Sequence, residues 1–185
     1  MTMSTQPESP QPVKWLDLQR RGVWIIGFFA AFVIFMSLAA LIPVDPTIAK
    51  TTTNQLQDQL KYTATVDLIF GHNFFLTLIM FLPFIGPIFG IFSSFSTGLV
   101  VADIASARGY SPGFLVAYLF TAPHTYLELF AYALAMSQSV FLSLALVRGR
   151  LKQELVRTCV IMAICALVLV LAAFFEVLLI YAEGG

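Results

Sequence analysis

His124 and Glu128 are the residues of this chain whose types and spacing best suit a chemical site. They are one turn apart on a helix predicted to begin at Pro123, because proline fits the first turn of a helix, where its missing N–H is not needed. Ionisable side chains inside apolar segments are costly to bury in lipid, so they face a partner or a wet cavity. The pair is compatible with structural pairing, with a functional polar site, or with two ligands of a metal site that needs further ligands.

Other polar side chains fall inside apolar segments and are candidates to join this pair. Glu176 lies deep in the last apolar segment, and a carboxylate alone in lipid is unfavourable, so we expect it to face the bundle. The predicted intramembrane polar site comprises Asn73, Asp103, His124, Glu128 and Glu176.

No familiar enzyme signature is present in the sequence. We find no His-Glu-x-x-His zinc motif, no Gly-x-Ser-x-Gly nucleophile elbow and no phosphate-binding Gly-Lys-Ser/Thr loop. We therefore expect no catalytic residue, no enzymatic activity and no cofactor.

The composition indicates which solvent surrounds the elements that carry these residues. Of the 185 residues, 59% are hydrophobic and only 11% are charged, whereas soluble domains carry about 25% charged residues. So few ionic groups cannot cover the surface of a soluble fold of this size. The fold class predicted is therefore all-α, a polytopic transmembrane helical bundle.

Prolines divide the longest apolar stretches into separate helices. Residues 68–102 contain no Asp, Glu, Lys or Arg, and one helix of that length would reach ~52 Å, well beyond a bilayer core of ~30 Å. Pro83 and Pro87 interrupt this stretch, and proline removes a backbone donor and clashes with the preceding turn. The five membrane-spanning helices predicted lie at about 23–42, 67–85, 87–107, 113–147 and 157–181, with a further break at Pro123.

Two further segments complete the organisation. Residues 1–21 are predicted to be a disordered and basic cytoplasmic segment, followed by a single transmembrane domain over residues 22–185. The polar connection 43–65 is expected to contain an amphipathic helix at the membrane interface.

Basic residues cluster before the first and the last apolar segments, as Lys14, Arg20 and Arg21 and as Arg148, Arg150, Lys152 and Arg157. Cytoplasmic loops of membrane proteins carry an excess of Lys and Arg. Five helices place both clusters on the same side, which favours a multi-pass plasma-membrane protein with a cytoplasmic N-terminus. Because the clusters flank apolar segments, we do not expect nucleic-acid binding.

Small residues recur every four positions along the third predicted helix. Small faces let helix backbones approach closely in lipid, where no hydrophobic force drives helices together. This face is predicted either to pack inside the bundle or to dock another membrane protein. The four-residue spacing is compatible with both roles and does not distinguish them. The helix-packing face comprises Gly86, Gly90, Ser94, Gly98 and Ala102.

Several segments together resemble the stage II sporulation protein M family of integral membrane proteins. The resemblance rests on 69–73 (IFGHN), on 90–92 (GIF) leading to Thr97-Gly98, and on 122–131 (APHTYLELFA), and it covers about residues 66–180. The last segment is the most specific, since Pro-His followed by Glu four residues later is that family's hallmark. The resemblance implies a non-enzymatic membrane scaffold that gathers partner proteins, which in the sporulation member are peptidoglycan-degrading enzymes.

Three functional hypotheses follow. The leading one is a membrane scaffold or assembly subunit whose partners are the lipid bilayer and other membrane or envelope proteins, with a homo-oligomer as an alternative assembly. The second is a permease-like transport component with a polar path through His124, Glu128, Asp103 and Glu176. The third is an intramembrane metalloenzyme that uses His72, His124 and Glu128.

Overall fold

A computed structural model describes residues 15–63 and 65–182, and these residues form seven helices and no strand. The first helix begins at Trp15, inside the segment 1–21 that the sequence assigns to a disordered tail; residues 1–14 lie outside the described part. The helices are α1 (Trp15–Ala40), α2 (Pro46–Thr63), α3 (Val66–Met80), α4 (Gly86–Arg108), α5 (Pro112–Leu119), α6 (Pro123–Val147) and α7 (Leu151–Ala182).

The predicted break around Pro83 is confirmed, and it is wider than expected. α3 ends at Met80 rather than near residue 85, and a turn leads to the start of α4 at Gly86. Phe84 has a φ of 65°, which is unusual for a residue with a side chain. Two bonds from α6 hold this turn in place, since the Phe84 N–H donates to Ser143 Oγ at 2.8 Å and Ser139 Oγ donates to the Leu82 carbonyl at 2.6 Å.

The break at Pro123 is confirmed as well, and it separates the short α5 from the long α6. The Ser111 hydroxyl caps the start of α5 by accepting a bond from the Phe114 N–H at 3.2 Å. Proline at the first position of α6 costs no backbone bond, because that N–H has no partner inside a helix.

The connection between α1 and α3 contains the helix α2, which packs against α4. Asp45 caps α2, because its carboxylate accepts bonds from the N–H groups of Thr47 at 2.8 Å and Ile48 at 3.4 Å. These bonds favour the charged carboxylate and hold the pKa of Asp45 below its ordinary value.

Four helices in the described part are long and apolar enough to cross a membrane, and the fold class is confirmed as an all-helical, polytopic membrane type. These helices are Gln19–Ala40, Gly86–Arg108, Pro123–Val147 and Leu151–Ala182. The predicted span at 67–85 corresponds to α3, which is apolar but has only 15 residues, so it reaches about 22 Å. The structure thus contains four long spans and one shorter apolar helix.

Side-chain contacts fix the relative directions of α1, α4 and α6. α1 and α4 are parallel, because Ser94 bonds to the Phe32 carbonyl and Ser106 bonds to the Val44 carbonyl. α6 runs opposite to α1, because Gln138 meets Arg21 and Tyr132 stacks on Phe32.

The same reasoning gives the directions of α3 and α7. α3 runs with α6, since Asn73 meets Glu128 and Leu82 meets Ser139. α7 runs against α6, since Glu154 meets Gln138 and the later Cys165 meets the earlier Ala131. The bundle therefore has an arginine end, where Arg21 meets Glu154, and an opposite carboxylate end, which contains Asn73 and Glu128.

The small-residue face of α4 is buried inside the bundle. Gly86, Gly90, Ser94, Gly98 and Ala102 are all buried. A side-chain carbon at Gly86 would collide with the Met80 carbonyl, and one at Gly98 would collide with the Met36 carbonyl of α1. This face is thus occupied by the chain's own helices.

Candidate functional site

A cavity of about 270 Å³ lies at the carboxylate end. Side chains from six of the helices, all but α2, converge on it, which brings together groups that are far apart in sequence. Its polar lining is His72, Asn73, Ser93, Thr97, His124, Thr125, Glu128, Tyr132 and Glu176, and its apolar lining is Phe32, Met36, Leu76, Leu119 and Leu129.

Asn73 is the hydrogen-bond partner of Glu128. The Asn73 side-chain amide Nδ2 donates to Glu128 Oε1 at 2.6 Å, and Asn73 is itself buried. One turn further along α3, the Thr77 hydroxyl donates to the Asn73 carbonyl at 2.7 Å. Glu128 is thus anchored to α3, and the pairing with His124 that their spacing allowed is replaced by a contact between two helices.

His124 is the group at this cavity whose bonding is incomplete. Its Nδ1 atom is buried and has no hydrogen-bond partner among the described residues. Buried polar atoms are nearly always bonded, so an unpaired one marks a place where a water or a ligand group fits. Which nitrogen carries the proton is not fixed by the heavy-atom positions.

The charge balance of the cavity is one-sided. Two carboxylic acids, Glu128 and Glu176, line it, and no lysine or arginine belongs to its described lining. Carboxylates in a low-dielectric site attract cations and hydrogen-bond donors. The arrangement is therefore suited to receiving a donor or a positively charged group.

Asp103 is not brought to this cavity, although the sequence grouped it with the other four polar residues. It lies on α4 and is partly exposed. The transport path, which needs Asp103 beside His124 and Glu128, therefore lacks one of its members.

The metalloenzyme hypothesis also loses its ligand set. Within residues 15–63 and 65–182, no three His, Cys, Asp or Glu side chains are placed so that they could hold a metal ion. His72 lines the cavity but is exposed on α3.

A groove of about 290 Å³ between α3 and α4 adjoins the cavity. The two share His72, Leu76, Ser93 and Thr97. The remaining lining of the groove is Phe89, Phe92, Ser96 and Val100. Polar side chains therefore extend from the cavity to the outer face of the bundle, along helices whose other outward residues are mostly apolar.

The sequence reasoning missed a polar network at the arginine end. Arg21 donates from Nη1 to Gln138 Oε1 at 2.7 Å and from Nη2 to Glu154 Oε1 at 2.5 Å. Gln138 Nε2 donates to Glu154 Oε1 and to Thr158 Oγ1, both at 2.9 Å. The sequence did contain one signal of this network that was not used, because Gln138 is the single glutamine in the apolar sequence of α6.

Comparison with known proteins gives one family. The model of the family described as stage II sporulation protein M matches residues 23–179, which is most of the chain. No curated protein and no solved structure gives a match. Together with the four long apolar helices, the family match identifies an integral membrane protein. This chain belongs to the stage II sporulation protein M family.

Proposed function

We propose that this protein is a non-enzymatic scaffold or assembly subunit of the plasma membrane that packs against partner membrane or envelope proteins. Its N-terminus is cytoplasmic in this proposal, because Lys and Arg accumulate on the cytoplasmic side. Described arginines of both basic clusters lie at the arginine end, namely Arg20, Arg21, Arg148, Arg150 and Arg157. Membership of the family supports the membrane setting.

The observation that carries the proposal is the groove between α3 and α4, whose mostly apolar lining includes polar side chains from both helices. Serine, threonine and histidine side chains on a membrane-facing surface are costly unless they bond to something, and they bond helices to one another in lipid. Thr97 already donates to the Ser93 carbonyl at 3.0 Å, whereas His72 is exposed. A partner helix would supply bonds that lipid chains cannot.

The occupant we propose is a transmembrane helix of another protein that presents small residues and a hydrogen-bond donor or basic side chain. We propose a donor or basic side chain on the partner because of charge complementarity. The cavity adjoining the groove contains Glu128 and Glu176 and no basic residue in its described lining. Small residues on the partner would let its backbone approach α4 closely. The face formed by Gly86, Gly90 and Gly98 is not available for this role, since it is buried against α1 and α6.

A site-specific crosslinking experiment tests this surface. A photoreactive phenylalanine analogue replaces Phe92, which lines the groove and is 64% exposed, or Phe174, a matched control on α7 that is 51% exposed. After irradiation of intact cells, we expect Phe92 to give adducts with a second, different membrane protein and Phe174 to give mainly lipid adducts.

Ser93→Leu narrows the groove and is expected to reduce the Phe92 protein adduct at least tenfold while the protein stays monodisperse in mild detergent. Equal adducts at both positions would contradict the proposal. So would a Phe92 adduct that contains only a second copy of this chain, or recovery of the crosslinked protein solely as a monomer.

A further inference from the structure

A second cavity, of about 350 Å³, lies at the arginine end, away from the groove and the carboxylate-end cavity. It is bounded by α1, by the last turns of α6 and by the start of α7. Its charged lining is Arg20, Arg21, Arg148, Arg150 and Arg157, with Glu154 as the single acid. We call it the arginine pocket.

Among the described residues, most of the arginines in this pocket have no acidic partner. Glu154 is already engaged by Arg21 at 2.5 Å, with Arg157 a weaker partner at 3.4 Å. No described acid pairs with Arg20, Arg148 or Arg150, and all three side chains are exposed. Several guanidinium groups facing one cavity present donors in the planar geometry that matches phosphate oxygens.

Contacts on two sides of the arginine pocket position its arginine side chains. The guanidinium of Arg21 is bonded to Gln138 and lies over the ring of Phe141, 4.1 Å from its centre. On the other side, Gly149 has a φ of 66° and closes the turn between α6 and α7. This left-handed conformation suits glycine, and it places Arg148 and Arg150 on either side of the turn.

The arginine pocket also has an apolar side. Trp24, one turn further along α1 than Arg20 and Arg21, lines it together with Phe141 and Leu144 from α6. Trp24 and Leu144 are exposed by 45% and 42%. Tryptophan is enriched where a helix passes through the headgroup region of a membrane. The lining thus changes from cationic to apolar within one pocket.

We infer that the arginine pocket binds the phosphate of an anionic phospholipid, with the guanidinium groups on the headgroup and Trp24, Phe141 and Leu144 against the start of an acyl chain. The chemistry shared with a soluble ligand is the phosphate anion. The apolar side and the position at the end of a membrane bundle favour the lipid. The arginines could instead serve only to orient the protein in the membrane. That role needs positive charge on one side of the membrane, and it does not require arginines from α1 and from the α6–α7 turn to face one cavity.

Native mass spectrometry of the full-length protein in mild detergent tests the inference. The protein is titrated with phosphatidylglycerol, with zwitterionic phosphatidylcholine and with inorganic phosphate. We expect phosphatidylglycerol to bind at least tenfold more tightly than phosphatidylcholine. Arg148→Gln combined with Arg150→Gln is expected to weaken its binding on the order of thirtyfold. These two side chains are exposed and outside the Arg21 network, so the variant should remain folded, as size-exclusion chromatography will verify.

Arg108→Gln serves as the matched control, because Arg108 is an exposed arginine at the last turn of α4, at the carboxylate end. It is expected to leave phosphatidylglycerol binding unchanged, and Arg20→Gln provides a second test variant that should weaken it. Equal binding of the two lipids, or unchanged binding in both test variants, would overturn the inference. Displacement of the lipid by an equal concentration of inorganic phosphate would overturn the assignment to a lipid.

Discussion

The carboxylic acids at the two ends of the bundle have opposite surroundings. At the arginine end, the carboxylate of Glu154 receives donors from Arg21, Gln138 and Arg157. At the carboxylate end, Glu128 receives one amide donor from Asn73, Glu176 shares its cavity, and His124 Nδ1 is unbonded within the described residues. Opposite charges and bonded lone pairs make a buried ion acceptable in a fold. Acids without a counter-charge contribute little to stability, so the carboxylate end is the better candidate for binding a partner.

Removal of Arg21 gives the largest effect expected from this comparison. The side chains of Arg21 and Glu154 are only 18% and 10% exposed, so solvent screens the pair little. Arg21→Ala leaves Glu154 and Gln138 without their main donor, and we expect a loss of about 3 kcal/mol in the free energy of unfolding. Denaturant titration in detergent micelles measures it.

Arg20→Ala is the control for that prediction, because Arg20 is the exposed neighbour of Arg21. Its effect on unfolding should stay within about 0.5 kcal/mol. Equal losses in the two variants would show that net charge, and not the bonded network, stabilises the arginine end.

Gly98→Ala tests whether close packing between α1 and α4 stabilises the part of the bundle near the carboxylate end. An added carbon would meet the Met36 carbonyl and the Ala39 side chain, so the two helices must separate. We expect a loss of about 2 kcal/mol in the free energy of unfolding. Gly27→Ala on α1, where the space is open, should be neutral or stabilising by up to about 1 kcal/mol. A neutral Gly98→Ala would mean that packing does not hold this end together.

Asn73→Ala gives the smallest expected effect and sharpens the contrast between the ends. It removes the 2.6 Å bond to Glu128, and hydrogen bonds between membrane helices contribute about 0.6 kcal/mol on average. We expect a loss of about 1 kcal/mol in thermal or denaturant unfolding, well below that of Arg21→Ala. Asn54→Ala, at an exposed position of α2, is the control. A loss as large as that of Arg21→Ala would contradict the view that the carboxylate end contributes little to stability.

The helix breaks could be predicted from the sequence because they depend on local chemistry. Pro83 and Pro123 each mark a place where a helix cannot continue, and the chain breaks there irrespective of its neighbours. The extent of the first break could not be read in this way. Residues 81–85 form a turn to which Ser139 and Ser143 of α6 bond, and those partners are distant in sequence.

The candidate site was predictable only in part, for a related reason. Asn73, His124, Glu128 and Glu176 line one cavity, whereas Asp103 does not. Position along a helix gives the depth of a side chain, but the facing neighbour depends on how the helices are rotated and arranged. Arg21 and Glu154 are 133 residues apart in sequence, and no local pattern relates them.

The sequence by itself determined that the chain is helical, that it resides in a membrane and that its helices break near Pro83 and at Pro123, because these follow from composition and proline chemistry. Only the tertiary structure decided that Glu128 bonds to Asn73, that Arg21 closes a network around Glu154, and that the glycines of α4 face inward. These outcomes depend on contacts between helices, whose free energy arises only after the chain has folded and so leaves little trace in local sequence.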